Sequence, residues 1–519
     1  MRGGTQQFRD YRELLFAGAL MVFVFSWPLD RRHLVFTEYS FITGAYTEAG
    51  TLSLYASDLA FLMLWAAWCW YAIQRPKEAV IPWSVFRAGL ALLAWSVFRA
   101  FPLDVPIGTG FSTLLGWYGS ARIGQGLLIA LIAAHVWRSP NLRRVVLWTL
   151  VLSGIFQGLL GIGQVLRGGD FGLRFLGEHP LSLQTPGVAK VDIKTYNGSL
   201  DNVPKGTSAE RTVSRKDVPL GTKVLRAYGT FPHSNVLASF ILGSLFASYF
   251  LHREKRGTRE TFWNLFLIIP FVLSLGLLLT FSRSGWLSFL LLMGTLGVCF
   301  YRNIERNIEN QRKARFFFLS VTLGILIPLL FSTLRSAAIA RIFPEETDTF
   351  LHGRTASFYD TFNVLARSPF FGVGTGNGFI SLVRNTRNID NNKEYVILYT
   401  REPWKYQYPH NVFLVILLEL GAVGGILFLA FLYEGTKFFV LSFRRQSLFA
   451  RVPVAGVVLA ILAVAVLGLT DHYLWTVQQG RILLWSLVGI LFGTISRKRE
   501  EPSPAPREAP SPRAWRAPG

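Results

Sequence analysis

Runs of 16 to 24 mostly apolar residues recur along the whole chain, and they constrain the fold more than any other feature. A helix rises about 1.5 Å per residue, so each run is about long enough to cross a ~30 Å hydrocarbon layer. Inside such a layer every backbone N–H and C=O must be satisfied internally, which leaves helices and closed barrels. A barrel would show short alternating segments, and the sequence has none. The expected fold class is an all-α polytopic membrane protein with about twelve transmembrane helices. They fall roughly at 14–29, 56–73, 83–101, 119–137, 144–166, 234–251, 262–280, 284–301, 315–333, 410–433, 452–470 and 479–496. The stretch 262–301 is twice the length of one span and reads as a hairpin.

Charge fixes the expected orientation. There are 53 Lys and Arg against 31 Asp and Glu, a net charge of +22. In a soluble chain this excess would suggest a nucleic-acid partner, but no basic module or nucleic-acid motif is present, so none is expected. Basic residues instead flank membrane helices on the cytoplasmic side. With the N-terminus inside, the inner loops are "QRPKEA", "WRSPNLRR", "HREKRGTRE", "YRNIERNIENQRKAR", "FRRQSLFAR" and the tail "SRKREE", each with at least two Lys or Arg. The short outer loops "FPLDVPIGTG" and "DHYLWTVQQ" have none. The first apolar run has a basic flank but no small-residue cleavage site, so it reads as a retained helix. Cys69 and Cys299 fall within apolar runs, and no cysteine spacing suits a metal.

This alternation divides the chain. Residues 1–166 hold helices 1–5, 234–333 hold helices 6–9 and 410–496 hold helices 10–12. The segments 167–233 and 334–409 become long extracytoplasmic loops, and the Pro- and Ala-rich end, 497–519, reads as a disordered cytoplasmic tail. The first loop is expected to be a small β-rich excursion or mobile. In the second, Phe358, Phe362 and Leu365 recur at helical spacing, which predicts an amphipathic helix along the membrane surface. "GVGTGNG" is a glycine-rich turn that fits neither phosphate-loop nor dinucleotide patterns.

Polar residues remote in sequence then share one membrane face. His410 and Asn411 open one span, in "YPHN", and His233 and Asn235 open another, in "FPHSN". Arg226 lies just before the latter, Arg283 sits at the hairpin tip and Arg354 lies in an outer loop. Two readings stay open for each arginine. Arg283 is either a turn marker snorkelling to headgroups or part of an anion site, in which its planar fork and a helix N-terminus meet phosphate oxygens. Arg226 is either a solvated loop charge or a second fork. His410 lies at the positive end of a helix, which disfavours imidazolium and suits a proton acceptor, or else it only caps the helix. His233 reads more readily as a helix-entry residue. Glu419, nine residues beyond His410, points to roughly the opposite helix face and reads as structural. Together these groups suit transfer from a lipid diphosphate: arginines take the leaving group's charge and a histidine deprotonates a hydroxyl. No metal is required if arginines carry that charge, and no outer acidic pair is present.

The stretches "YGTFPHSNVLASFI", "LLLTFSRSGWLSFLL", "GRTASFYDTFNVLARSPFFGVGTGNGF" and "PHNVFLVILLELGAVGGILFL", over about 225–432, resemble successive motifs of the O-antigen ligase-related family. That family includes O-antigen ligases, Wzy-type polymerases and O-linking oligosaccharyltransferases. The resemblance implies a GT-C-type glycosyltransferase in the bacterial cytoplasmic membrane, multi-pass, with both termini cytoplasmic. It implies a lipid-linked oligosaccharide donor on undecaprenyl diphosphate, a lipid, glycan or protein acceptor, and no cofactor, nucleotide sugar or metal. By motif, Arg283 and Arg226 would bind the diphosphate and His410 would be the base or orient the acceptor, with Arg354, His233, Asn235 and Asn411 as further candidates. A transporter or flippase of lipid-linked glycans is the alternative from another class. Transporters place polar sites near the bilayer midplane, whereas these groups gather at helix ends.

Overall fold

The computed structural model describes residues 11–41, 47–75, 83–101, 110–185, 187–193, 222–254, 261–302, 308–343, 349–389, 408–445 and 465–496. Long helices dominate: α1 (Tyr11–Ser26), α2 (Ala56–Gln74), α3 (Trp83–Phe98), α4 (Gly110–Arg138), α5 (Pro140–Arg167), α6 (Ser234–Glu254), α7 (Thr261–Leu279), α8 (Arg283–Arg302) and α9 (Ile308–Leu326). Then come α10 (Ser332–Ile342), α11 (Thr349–Arg367), α12 (Gly378–Ile389), α13 (Val412–Arg445), the single turn α14 (Tyr473–Thr476) and α15 (Gln478–Ser496). Six described segments are long and apolar enough to cross a membrane: Ala56–Gln74, Gly110–Arg138, Pro140–Arg167, Ser234–Leu251, Gln311–Leu330 and Val412–Lys437. Phe86–Phe98 and Leu267–Leu279 are shorter apolar helices. The fold is thus mostly helical and membrane-embedded, and twelve spans remain an expectation of the sequence. The span read at 452–470 lies mostly outside the described residues, as does the tail.

The helices pack as α4 on α15, α7 on α9, α5 on α6, α1 on α2 and α3 on α13. Where α15 crosses α4, a side chain on Gly489 would collide with the Ala130 carbonyl. Such close approach through small residues is how helices associate in lipid, where no hydrophobic effect drives them together. α7 and α8 form the expected hairpin, and the Ser282 hydroxyl accepts from the Gly285 N–H at 3.2 Å, capping α8.

The described residues include two small antiparallel ribbons. β1 (Arg32–Val35) pairs β2 (Leu52–Tyr55), and β3 (Lys190–Ile193) pairs β4 (Thr222–Leu225). The second brackets the stretch expected to be a β-rich excursion or mobile, whose residues 194–221 lie outside the described residues. The first had no strand signal, because four-residue strands are too short to show a period. The amphipathic helix anticipated around Phe358 is α11.

One break organises the site end. α13 is interrupted at Gly421 (φ 67°), where any side chain would strike the Phe370 carbonyl. The glycine-rich turn after α11 fills the gap. Val373 and Gly374 N–H groups donate to the Leu418 and Glu419 carbonyls at 2.8 and 3.0 Å, and the Trp95 indole donates to Leu420 O at 2.9 Å. Buried Arg99 in turn donates to the Phe371 and Gly372 carbonyls, each at 2.9 Å. "GVGTGNG" therefore mends a broken membrane helix, the kind of compensation that irregular backbone at depth requires.

Candidate functional site

The starts of α6, α8 and α13 and the turn before α14 meet at one end of the bundle. Arg226 follows β4 directly. Two glutamines of α5, seven residues apart and so on one helix face, hold the loop beyond it. Gln164 Oε1 accepts from the Tyr228 and Gly229 N–H groups at 3.1 and 2.8 Å, and Gln157 Oε1 accepts from Thr230 N–H at 2.9 Å. This fixes "YGTFPHSN" against the bundle.

From Arg226 a polar chain runs across the helix starts. Its Nε donates to the Thr280 carbonyl at 2.7 Å and its guanidinium donates to Asn235 Oδ1 at 2.7 Å. Asn235 Nδ2 donates to Asp471 Oδ2 at 2.8 Å. Asp471 Oδ1 accepts from the His472 N–H at 2.8 Å and lies 3.3 Å from His410 Nδ1. The His410 and His472 rings are 5.4 Å apart. Arg226, His410, Asn235 and Asp471 are thus continuous, although 245 positions separate Arg226 from Asp471 (471 − 226).

Arg226 is buried, and burial first, then the charge of Arg341, pushes its guanidinium down to about 9; Arg283 adds a smaller contribution in the same sense. Arg341 and Arg283 thus both act on Arg226 as like charges, and an anion beside them would relieve that repulsion. Arg341, on α10, donates through Nε to the Phe281 carbonyl at 3.0 Å. Phe281 itself is held at φ 47°, a strained conformation for a residue with a side chain. Burial would raise the Asp471 carboxyl, but the hydrogen bond from His410 and the charges of His472, His410 and His233 outweigh it and hold it well below the ordinary carboxylate range. An ionised Asp471 favours the His410 tautomer that carries its proton on Nδ1, so that Nε2 is the acceptor nitrogen.

The other candidates separate. His233 Nδ1 accepts from the Asn235 N–H at 3.1 Å, and burial first, then Arg226, pushes its imidazole down to about 3. It is a neutral helix-entry residue. Asn411 Oδ1 accepts from the Leu414 N–H at 3.1 Å, so it caps α13. Arg354 lies on α11, with its side chain outside the described residues. Glu419 is structural as expected, accepting from Tyr408 at 3.0 Å and Trp475 at 3.2 Å, but it lies nearer the site than its helix face suggested. The ring of its partner Tyr408 lies 5.7 Å from the His472 ring, tilted against it by 46°.

Sequence reasoning missed Asp471, His472 and Arg341. The pair "DH" in "DHYLWTVQQ" was the available signal, read only as a loop without Lys or Arg; Arg341 carries no motif. His410, Asp471 and His472 also offer three ligand atoms within 4.8 Å of one another, a donor set of two imidazoles and a carboxylate that suits zinc. Against that use, both Asp471 oxygens already accept hydrogen bonds and His472 Nδ1 lies 2.7 Å from Thr476 Oγ1.

Residues 268–429 match the family described as O-antigen ligase (Wzy_C). The segment is narrower than the motif resemblance: it includes Arg283, Arg341, Arg354, His410 and Asn411 but not Arg226, His233, Asn235 or Asp471. A curated relative, the ComP-specific O-oligosaccharyltransferase of Acinetobacter baylyi (strain ATCC 33305 / BD413 / ADP1), is 25% identical over 220 residues, covering 40% of this chain. The match spans 35% of that relative's length. The chain therefore carries an O-antigen ligase domain over residues 268–429, set within a larger helical membrane protein.

Proposed function

We propose that the chain is a glycosyltransferase of the GT-C type, moving a glycan from undecaprenyl diphosphate to an acceptor hydroxyl at the outer face of the bacterial cytoplasmic membrane. The observation that carries this reading is the unbroken contact path from Arg226 through Asn235 and Asp471 to His410, beside Arg283 and Arg341. His410 Nε2 takes the acceptor's proton while Asp471 holds Nδ1–H. The acceptor oxygen forms its bond to the anomeric carbon. The bond from that carbon to the phosphate oxygen breaks, and the electron pair leaves with the diphosphate, whose growing charge the arginines meet. No metal takes part in this scheme. The orientation, both termini cytoplasmic on a twelve-span topology, is supported by basic residues such as Arg75, Arg138 and Arg312 at the helix ends away from the site.

Ligase and polymerase differ only in the acceptor, and both fit this geometry. A flippase would need its polar site at the midplane, whereas these groups cluster at helix starts. The test is transfer in vitro by purified protein, with a lipid-linked glycan, candidate acceptors and EDTA. A glycosylated acceptor identifies enzyme and acceptor together. Lipid-linked glycan moved across liposomes without transfer would make it a transporter, and activity lost to EDTA but restored by zinc would reassign His410, Asp471 and His472 as metal ligands.

A further inference from the structure

A second feature adjoins the histidines and is not used by this scheme. A cavity of about 170 Å³ opens between the starts of α2, α4 and α15 and reaches His472 and Tyr408. A water needs only about 10–15 Å³, so the space is of small-molecule size. Much of its wall comes from outside the matched O-antigen ligase segment, including Glu48, Tyr118, Arg122, Trp475 and Arg481.

The wall is aromatic and evenly charged. Two carboxylates, Glu48 and Glu419, face two guanidiniums, Arg122 and Arg481. Arg122 pairs with Asp58 and donates to Tyr118 Oη at 2.8 Å, with its guanidinium carbon 4.7 Å from that ring's centroid. Arg481 forms no such ion pair among the described residues and donates to Gln478 Oε1 at 3.3 Å. The Nε of each is buried without a hydrogen-bond partner among the described residues. A buried donor left unmade is destabilising, so a ligand acceptor would gain there. An anion would meet Glu48 and Glu419. A neutral polyhydroxyl ring suits both: its hydroxyls bridge carboxylates and guanidiniums, and its C–H face lies on Tyr118 or Trp475.

We propose that this cavity binds a neutral sugar residue and holds it next to the His410–His472 pair. The choice of a sugar rests on the transferase reading; the cavity and its unmet donors do not. The sugar belongs either to the donor glycan or to a glycan acceptor.

The experiment titrates the full-length protein with the soluble oligosaccharide released by mild acid from the host's lipid-linked glycan, followed by tryptophan fluorescence, with sodium pyrophosphate as control. A saturable change is expected, lost in Trp475→Phe. Affinity should fall about tenfold or more in Arg481→Gln, the size of one charged hydrogen bond. It should also fall in Ala49→Trp, which fills the cavity from the short 3₁₀ turn at Glu48–Gly50. Unchanged affinity in these variants while they elute as monodisperse protein, or displacement of the glycan by pyrophosphate, overturns the proposal. Binding without any transfer would sink the transferase reading and keep the cavity; transfer indifferent to Ala49→Trp would do the reverse. In the transfer assay, whichever KM the variants raise, donor or acceptor, names the sugar's source.

Discussion

Two stretches of this chain are alike in sequence and opposite in use. "FPHSN" opens α6 and "YPHN" opens α13, each with proline, histidine and asparagine at a helix entrance. At α6 the histidine serves the helix: His233 accepts from the Asn235 N–H, and the Asn235 side chain is released to bridge Arg226 and Asp471. At α13 the asparagine serves the helix: Asn411 accepts from Leu414 N–H, and His410 is released to meet Asp471. One inserted residue, Ser234, exchanges the two roles. A helix start needs one side-chain acceptor; whichever residue supplies it is no longer available for chemistry.

This contrast orders the expected effects. His410→Ala should be the most damaging, lowering transfer by about 10²–10⁴-fold, the range for a lost general base, with protein yield unchanged. Asp471→Asn should come next. It keeps the shape but loses the charge-assisted contact, about 1.5–3 kcal/mol, so roughly 10–100-fold in kcat. Asn235→Ala should weaken binding of the lipid diphosphate through Arg226 by about tenfold, the worth of one hydrogen bond to a charged group, seen in KM more than kcat. His233→Asn should leave transfer within a few-fold and change acid stability instead. Because His233 is held down to about 3 in the folded chain against an ordinary 6.5, the unfolded chain binds its proton first. Stability from this residue is present above pH 6.5 and is lost as pH falls towards 3. Asp471 acts in the same sense, but only below its ordinary 3.8. Thermal unfolding between pH 6.5 and 4 should therefore flatten in His233→Asn. Asn411→Ala should be mildest, costing about 1 kcal/mol of helix cap, read as a small drop in Tm. Equal kinetic losses in His233→Asn and His410→Ala would erase the distinction between the two entrances.

Much of the fold was legible because lipid forces a simple rule: a long apolar run must be a helix. The α7–α8 hairpin, the amphipathic α11 and the gathering of His410, Arg226 and Asn235 at one end followed from run length and alternation. Asp471 and Arg341 were not legible, since their meaning lies in contacts with Asn235, His410 and Phe281, far away in sequence. Nor was the docking of "GVGTGNG" onto the break at Gly421. One glycine among the three of 421–425 announces no particular interruption, and the turn that compensates for it precedes it by some fifty positions. The strands β1 and β2 were invisible for want of length.

The account turns on His410 acting on an acceptor beside a lipid diphosphate that the arginines hold. Its most direct test is single-turnover transfer from a purified lipid-linked glycan, run in EDTA on wild-type and His410→Ala protein of equal monodispersity, with donor binding measured in parallel. The account predicts that the variant binds donor as the wild type does and transfers at least about a hundredfold more slowly. Equal transfer rates, or donor binding lost together with transfer, would contradict it.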